Sequence, residues 1–467
     1  MEQNVTSQQK QWELSRETLV RILGESHYTP KEFVNSLGSP SYSAMMKSIQ
    51  PVTFPLLKLL FRTIVHSHLP GLDARFRKER GKGLFSKRCW EIQSYTFSYR
   101  SQTVDGREIE MSGRVTFLNN KEKDIPHQVK TISLHMHQAF FNEDWAPSRN
   151  LMFAPLKTLW DSAVIEPDLQ KWGINHGIEY DGGGSAVQMA RQLADCIVAA
   201  LEIMRQHGIS LAPEGFTTNW GSSQNAIPTL MFAKWYDTEA PQWFKEALRL
   251  RSTFSEEGAA DLTRMMQYSY QHPEDIDTNF ILLLSYFKGF TPEQLGGYKP
   301  EEFVPQWHLD TKFQVDGREI SFMDATCLYY PQLTDPYYTK IKSFDQVFAP
   351  DMLTEDGKVD LDSPKMRVWM SCIKKYNNLD DWVPQHAVYL AHCPKDDMIP
   401  YEESYNLYLT LSQQRQNPRV HMLAAPAMRL IPRGGLKPHF IMAFAGQLLM
   451  TFVEKPEDMR WFFKPVK

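Results

Sequence analysis

The sequence predicts an α/β protein: a mainly parallel central sheet flanked by helices, with a mostly helical insertion and an N-terminal helical extension. Three observations predict it. Short apolar runs of strand length alternate with longer segments of helical period, first over 89–239 and again over 382–467. A chain that alternates in this way builds a parallel sheet covered on both faces. Residues 240–381 break that rhythm with polar and aromatic helical stretches and turn clusters such as Phe290-Thr291-Pro292-Glu293 and Leu295-Gly296-Gly297. Residues 1–88 read as helical and irregular. The expected organisation is an extension (1–88), a core in two parts (89–239 and 382–467) and a lid-like insertion (240–381).

Each element has its own signal. Trp90 to Tyr99 alternates like a half-buried strand, Asp105-Gly106 has hairpin-turn chemistry, and Ile109 to Phe117 returns as the partner. Val129 to Leu134 reads as a central strand, and Thr158 to Ile165 contains another that leads into Glu166-Pro167-Asp168. Residues 185–207 repeat apolar positions at helical spacing and stop at Gly208. Phe216 to Gly221 is a strand, and Ala226 to Trp235 a helix with Pro228 near its start, where proline is tolerated. After the insertion come a strand at Ala387 to Ala391, a helix at Tyr401 to Gln413, a strand at Val420 to Ala424 and a last helix from Phe440 to Val453.

Composition bounds function. The chain has 467 residues, 42% hydrophobic and 23% charged, with a formal net charge of −4, as in a globular protein with a large core. There is no basic excess to drive binding to a nucleic-acid backbone. The five cysteines lack metal-ligand spacing and read as free or inert buried thiols. The polar start MEQNVTSQQKQWELSRE lacks the apolar region of a signal peptide, so the expectation is cytoplasmic, or secreted or periplasmic if a targeting segment has been removed. Residues 54–70 carry Lys58 and Arg62 and are too short to span a bilayer; they read as an amphipathic helix on the core, with membrane-surface contact as the alternative. The basic run 75–88 reads as a solvated linker.

The chemistry concentrates at three places. Asn219-Trp220-Gly221-Ser222-Ser223-Gln224-Asn225-Ala226 has a strand running in and a helix running out, the context of a nucleophile elbow. The sharp turn needs small residues two before and two after the nucleophile. Gly221 supplies the first; Asn225 stands at the second, where Asn tolerates unusual backbone angles. Ser223 would then sit at a helix N-terminus, with the Gln224 N–H as an oxyanion donor. Asp396, just past the strand ending at His392, can orient a histidine, with Asp397 as the fallback. His439 lies in the loop Gly434-Gly435-Leu436-Lys437-Pro438, before the last helix. Ser223, Asp396 and His439 occur in the Ser…Asp…His chain order of α/β-hydrolases.

Over roughly 90–467 the chain resembles bacterial lipase/esterase-type α/β-hydrolases related to the secretory lipase family, especially forms with a large lid. The matching pieces include Tyr99-Arg100-Ser101 with Asp105-Gly106, Ser112-Gly113-Arg114-Val115, His137 with Ala146-Pro147-Ser148, and Pro167-Asp168. Asn219 to Ala226 resembles the family's N-x-G-Y-S-Q-G-G, and His392 to Tyr401 its H-x-x-x-D-x-x-V-P-Y. The resemblance implies Ser223 as nucleophile, Asp396 as acid and His439 as base, acting on small-molecule esters without a cofactor. The family's H-G-T matches His137-Gln138-Ala139, which makes the Gln138 N–H the second oxyanion donor although the glycine is lost. Asp168 stands in the family's P-D-Y segment, with Leu169 in place of Tyr, and reads as structural.

Other patterns point to less. His135-Met136-His137 could put two imidazoles on one face of a strand, but a structural or oxyanion-loop role outweighs a metal site. Gly182-Gly183-Gly184 lacks phosphate-loop spacing. The aromatic set Tyr268, Tyr270, Phe280, Tyr286, Phe287 and Phe290 suits the insertion's own core better than an acyl pocket. Two alternatives to an esterase stand at this point: a peptidase or amidase on the same scaffold, and a non-catalytic binding protein that kept the fold. The polar strand Phe216-Thr217-Thr218-Asn219-Trp220, with Asn225 and Gln138, favours the last.

Overall fold

A computed structural model describes residues 13–36, 67, 69–86, 89–120, 126–137, 146–151, 154–169, 172–175, 184–258, 262–271, 289–304, 312–315, 318–321, 343–396, 399–414, 416–424 and 464–466. His439, Gln138, Asp397, Gly182, Gly183, Phe280, Tyr286, Phe287, Cys327 and the expected helix 440–453 lie outside the described residues, as does nearly all of 54–70.

The strands are β1 (Leu19–Tyr28), β2 (Trp90–Gln102), β3 (Glu108–Asn120), β4 (His127–Met136), β5 (Ser162–Pro167), β6 (Ile209–Ser222), β7 (Leu250–Glu256), β8 (Lys312–Val315), β9 (Arg318–Ser321), β10 (Ala387–His392), β11 (Val420–Ala424) and β12 (Lys464–Pro465). Ten form one sheet in the order β1-β2-β3-β5-β4-β6-β7-β10-β11-β12; β8 and β9 pair as a separate hairpin. From β5 to β11 every neighbour is parallel, and the β1, β2 and β3 end is antiparallel. The hairpin turn between β2 and β3 closes on Gly106 at φ 83°. Thr103 N–H donates to the Arg107 carbonyl across it at 2.8 Å.

Four helices position the site and the core around it: α1 (Ala186–Gln206), α2 (Ala226–Thr238), α3 (Pro364–Asn377) and α4 (Tyr401–Leu411). α1 starts where Ser185 caps it, the hydroxyl accepting from Gln188 N–H at 3.2 Å. It buries Leu193, Ile197, Ala200 and Ile203 in the main core. Each large apolar side chain buried in this way contributes about 1.5–3 kcal/mol.

Three segments differ from the sequence expectation. β1 is a strand where a helix was expected. It is an edge strand paired antiparallel to β2, and most of its residues are exposed, so no buried face imposes the two-residue period that reveals a strand. β7 is a central strand inside the expected insertion, between β6 and β10. Its sequence, Leu250-Arg251-Ser252-Thr253-Phe254-Ser255-Glu256, lacks the apolar run typical of a buried parallel strand. The basic run after residue 75 is folded: residues 69–80 are helical, and Phe76 and Leu84 are buried in a second apolar cluster with Trp90 and Leu159. Arg80 reaches Asp161 at 2.6 Å.

Candidate active site

The parallel strands β4, β5, β6, β7, β10 and β11 all end on one side of the sheet, where open α/β sheets place their ligands. Ser223 follows the end of β6 directly, and α2 begins three residues later at Ala226. Its backbone has φ 54°, in the left-handed region. For a residue with a Cβ that conformation costs on the order of 1–3 kcal/mol, and it persists only where surrounding contacts impose it.

Those contacts explain the polar strand before the turn. Asn219 Nδ2 donates to the Thr229 carbonyl at 2.9 Å, which ties the strand to the helix, and Thr229 Oγ1 donates to the Asn225 carbonyl at 2.8 Å, which closes the first turn of that helix. Trp220 Nε1 donates to Ser133 Oγ at 2.8 Å on β4. A Cβ at Gly221 would come within 2.8 Å of the Asn225 carbonyl oxygen, which is why only glycine fits two residues before Ser223. Of the residues that suggested a binding protein, Asn219 and Trp220 thus anchor the strand that enters the turn.

Asn225, where the resembled family carries glycine, is buried. Its side-chain amide donates to the His137 carbonyl at the end of β4, so it ties the elbow to the neighbouring strand. Gln224 lies in the single 3₁₀ turn Ser223–Asn225 that leads into α2. Its N–H belongs to the N-terminal end of a helix, where the backbone dipoles favour negative charge.

Asp396 comes from the loop after β10, two strands from β6 with β7 between. At ordinary strand spacing that is about 10 Å along the sheet edge. Its carboxylate has no side-chain exposure. Oδ1 accepts from Ile399 N–H at 2.9 Å, and Oδ2 lies 3.2 Å from His392 Nε2. The structure therefore brings Ser223 and Asp396 to the same edge of the sheet. His439, Gln138 and Asp397 lie outside the described residues, so the geometry of the site rests on this pair.

Sequence reasoning missed two acidic residues here. Glu256 ends β7 beside Ser222 of β6 and Ala391 of β10, and Glu257 follows with φ 47°. Both are buried. Burial pushes the Glu256 carboxyl well above its ordinary value; burial, then the negative charges of Asp396 and Glu256, does the same to Glu257. Their signal was lost with β7 itself, since a strand end cannot be assigned when the strand is not seen.

The other histidines and acids near this edge are committed to packing. His135 stacks on Trp220 with 3.9 Å between ring centroids, and its Nδ1 is 3.0 Å from Glu166 Oε1. His137 Nε2 lies 3.1 Å from the Asp168 carbonyl. Asp168 accepts from Ser148 N–H at 2.7 Å and from the Ser112 hydroxyl, joining β3, β5 and the 146–151 segment. Tyr270 and Phe290 are buried in the core shared with α3, where Trp369 Nε1 donates to Tyr270 Oη at 3.1 Å. Cys89, Cys196, Cys372 and Cys393 are buried free thiols. No helix among the described residues is long and apolar enough to cross a membrane.

The order of the strands, the strained turn after β6 and the acid after β10 are those of the α/β-hydrolase fold, and the chain has that fold. A hydrolase candidate from Legionella pneumophila superposes on it with a TM-score of 0.57 at 14% identity, covering 93% of this chain and 98% of its own. The rice cell wall degrading esterase LipA from Xanthomonas oryzae, in a ligand-bound form, superposes with a TM-score of 0.53 at 14% identity, covering 82% and 94%. Neither a protein-family model nor a curated protein sequence matches the chain.

Proposed function

We propose that the protein is a serine hydrolase that cleaves carboxylic esters of small molecules through Ser223, His439 and Asp396. The observation that carries this reading is the left-handed backbone of Ser223 at the strand-to-helix turn after β6, held by the Asn219, Thr229 and Gly221 contacts. A chain maintains such strain where a side chain must stand clear of the sheet edge. The fold shared with an esterase and the acid on the same edge add support.

In this reading His439 takes the Ser223 proton as Oγ attacks the ester carbonyl. Asp396 holds the resulting imidazolium. The N–H groups of Gln224 and Gln138 receive the oxyanion. The protonated His439 passes its proton to the departing alcohol, and water then releases the acyl group by the same route reversed. The part of the expected insertion (240–381) that follows β7 would cover the site as a lid.

The test is covalent labelling. A fluorophosphonate probe should form an adduct on Ser223, located by mass spectrometry, that disappears in Ser223→Ala; short p-nitrophenyl esters should be turned over only by the parent. Matched p-nitroanilides separate an esterase from an amidase. A folded protein that takes up no probe would end the hydrolase reading and leave a binding protein on the same fold.

A further inference from the structure

We propose that His392 is a positioning residue that holds the Asp396 carboxylate, so that Asp396 serves two imidazoles at once. This rests on the reading of Ser223, Asp396 and His439 above.

His392 is the last residue of β10, and its side chain has no exposure. Its Nε2 faces two acceptors, the Ile399 carbonyl at 3.0 Å and Asp396 Oδ2 at 3.2 Å. Neither a carbonyl nor a carboxylate has a proton to give, so Nε2 carries the proton. In the neutral ring Nδ1 is then the bare nitrogen, and the Ser404 hydroxyl, 2.7 Å away in α4, donates to it. Hydrogen bonds run from α4 through Ser404 and the imidazole to the Ile399 carbonyl, and Asp396 Oδ2 lies against the same Nε2 at ion-pair distance.

Two hydrogen bonds hold the described part of the loop carrying Asp396. Asp396 N–H donates to the Cys393 carbonyl at 3.0 Å, and Ile399 N–H to Asp396 Oδ1 at 2.9 Å. Oδ1 is thus fixed from within the loop, and Oδ2 lies against the imidazole that β10 supplies. Glu257, which follows β7, is near enough for the negative charge of Asp396 to raise its carboxyl, and the Cys393 backbone bonds to Glu257. Tyr401 sets its ring edge-on to the imidazole at 5.8 Å. A carboxylate with one oxygen hydrogen-bonded and the other packed against an imidazole keeps one orientation, which is what the acid of a triad must offer its base.

A purely structural His392 would stitch β10 to α4 and affect stability alone, so the test needs a readout that stability does not move. In His392→Phe the ring fills the space but donates nothing; in His392→Gln an amide N–H can take the place of Nε2–H. We expect His392→Phe to lower kcat on p-nitrophenyl acetate by about 10–100-fold with KM little changed, a loss of the size that misplacing a supporting group produces. The acid limb of its kcat/KM profile should move to lower pH, because a poorly held Asp396 stabilises the imidazolium of His439 less. His392→Gln should recover most of the rate and the parental pH profile. Ser404→Ala, which frees the tautomer without touching the imidazole, should lose a few-fold; it and His392→Gln keep the test alive if the Phe variant does not fold. Folded variants with the parental kcat and pH profile would overturn the inference while fluorophosphonate labelling of Ser223 in the parent still supports the hydrolase. A parent that does not label would overturn both.

Discussion

Two buried carboxylate–imidazole pairs lie at opposite ends of the same sheet. Asp396 and His392 stand where the parallel strands end. Asp237 is near the end of α2, a helix of 13 residues that starts at the elbow and runs about 18 Å back along the sheet. There Asp237 Oδ1 is 2.9 Å from His386 Nδ1, and His386 Nε2 is 2.9 Å from Thr253 Oγ1 on β7. By distances alone this is a complete hydroxyl–imidazole–carboxylate relay, and it is better defined than the candidate site. Thr253 has no exposure, and its backbone is ordinary strand, so no substrate carbonyl can approach it. Asp237 also accepts from Trp382 Nε1 at 3.0 Å and from Gln385 N–H at 2.9 Å. Burial alone would raise its carboxyl, but His386 and these donors outweigh burial and hold it below the ordinary value. The difference teaches that a triad is not recognised by its hydrogen bonds. Position at the carboxyl end of the strands and a left-handed backbone at a strand-to-helix turn separate a candidate nucleophile from a core threonine.

The sharpest way to break this comparison is to remove each hydroxyl. Ser223→Ala should lower kcat on a p-nitrophenyl ester by about 10⁴-fold or more and abolish fluorophosphonate uptake. Thr253→Val should leave both within twofold and cost roughly 1–2 kcal/mol of stability for the lost buried hydrogen bond, seen as a lower melting temperature. If the two variants lost activity alike, the argument from position would be wrong.

The carboxylates should part in the same way. Asp396→Asn should cost about 10³–10⁴ in kcat with the fold intact, the loss expected when an acid no longer holds its histidine. Asp237→Ala should leave His386 buried beside an empty site and destabilise the protein by about 3–5 kcal/mol, with the activity of the remaining folded molecules unchanged. Urea unfolding and active-site titration on the same samples separate the two losses.

A smaller effect is expected at Asn225. Asn225→Ala removes the bond to the His137 carbonyl and should slow fluorophosphonate labelling by less than tenfold, with about 1 kcal/mol lost in stability. Faster labelling than in the parent would mean that the bond to β4 restrains the elbow rather than supporting it.

Legibility in the sequence divides along the same line. The elbow could be read because its requirement is local: Gly221, Ser223 and Asn225 stand within five residues, between a strand and a helix. The place of Asp396 at the sheet edge could be read because it comes just after a strongly apolar strand. β7 could not, since a strand of serine, threonine, arginine and glutamate has no apolar pattern to find, and Glu256 and Glu257 went with it. β1 hid for the opposite reason: as an exposed edge it needs no buried face. The Thr253–His386–Asp237 relay was illegible because its members are separated by whole elements and joined only by the packing of α2 on β7 and β10.

A third buried acid sharpens what an imidazole contributes. Asp195, in α1, accepts from the Ser101 hydroxyl at 2.7 Å and has no imidazole among its contacts in the described residues. Burial, only partly offset by Ser101 and Arg191, pushes its carboxyl up to about 7. The sign is opposite to that of Asp237. Below about pH 4 folded and unfolded chains both hold the proton, and Asp195 adds no pH dependence. Between about pH 4 and pH 7 the unfolded chain has released the proton and the folded one keeps it, so stability falls as pH rises, by at most about 1.4 kcal/mol per pH unit. Asp195→Asn keeps an acceptor for Ser101 and cannot ionise. Its melting temperature should therefore gain on the parent's at each step from pH 5 to pH 7, with esterase activity unaffected. Melting curves that stay parallel over that range would mean that Asp195 is already ionised in the fold, and that a hydroxyl serves a buried carboxylate as well as an imidazole does.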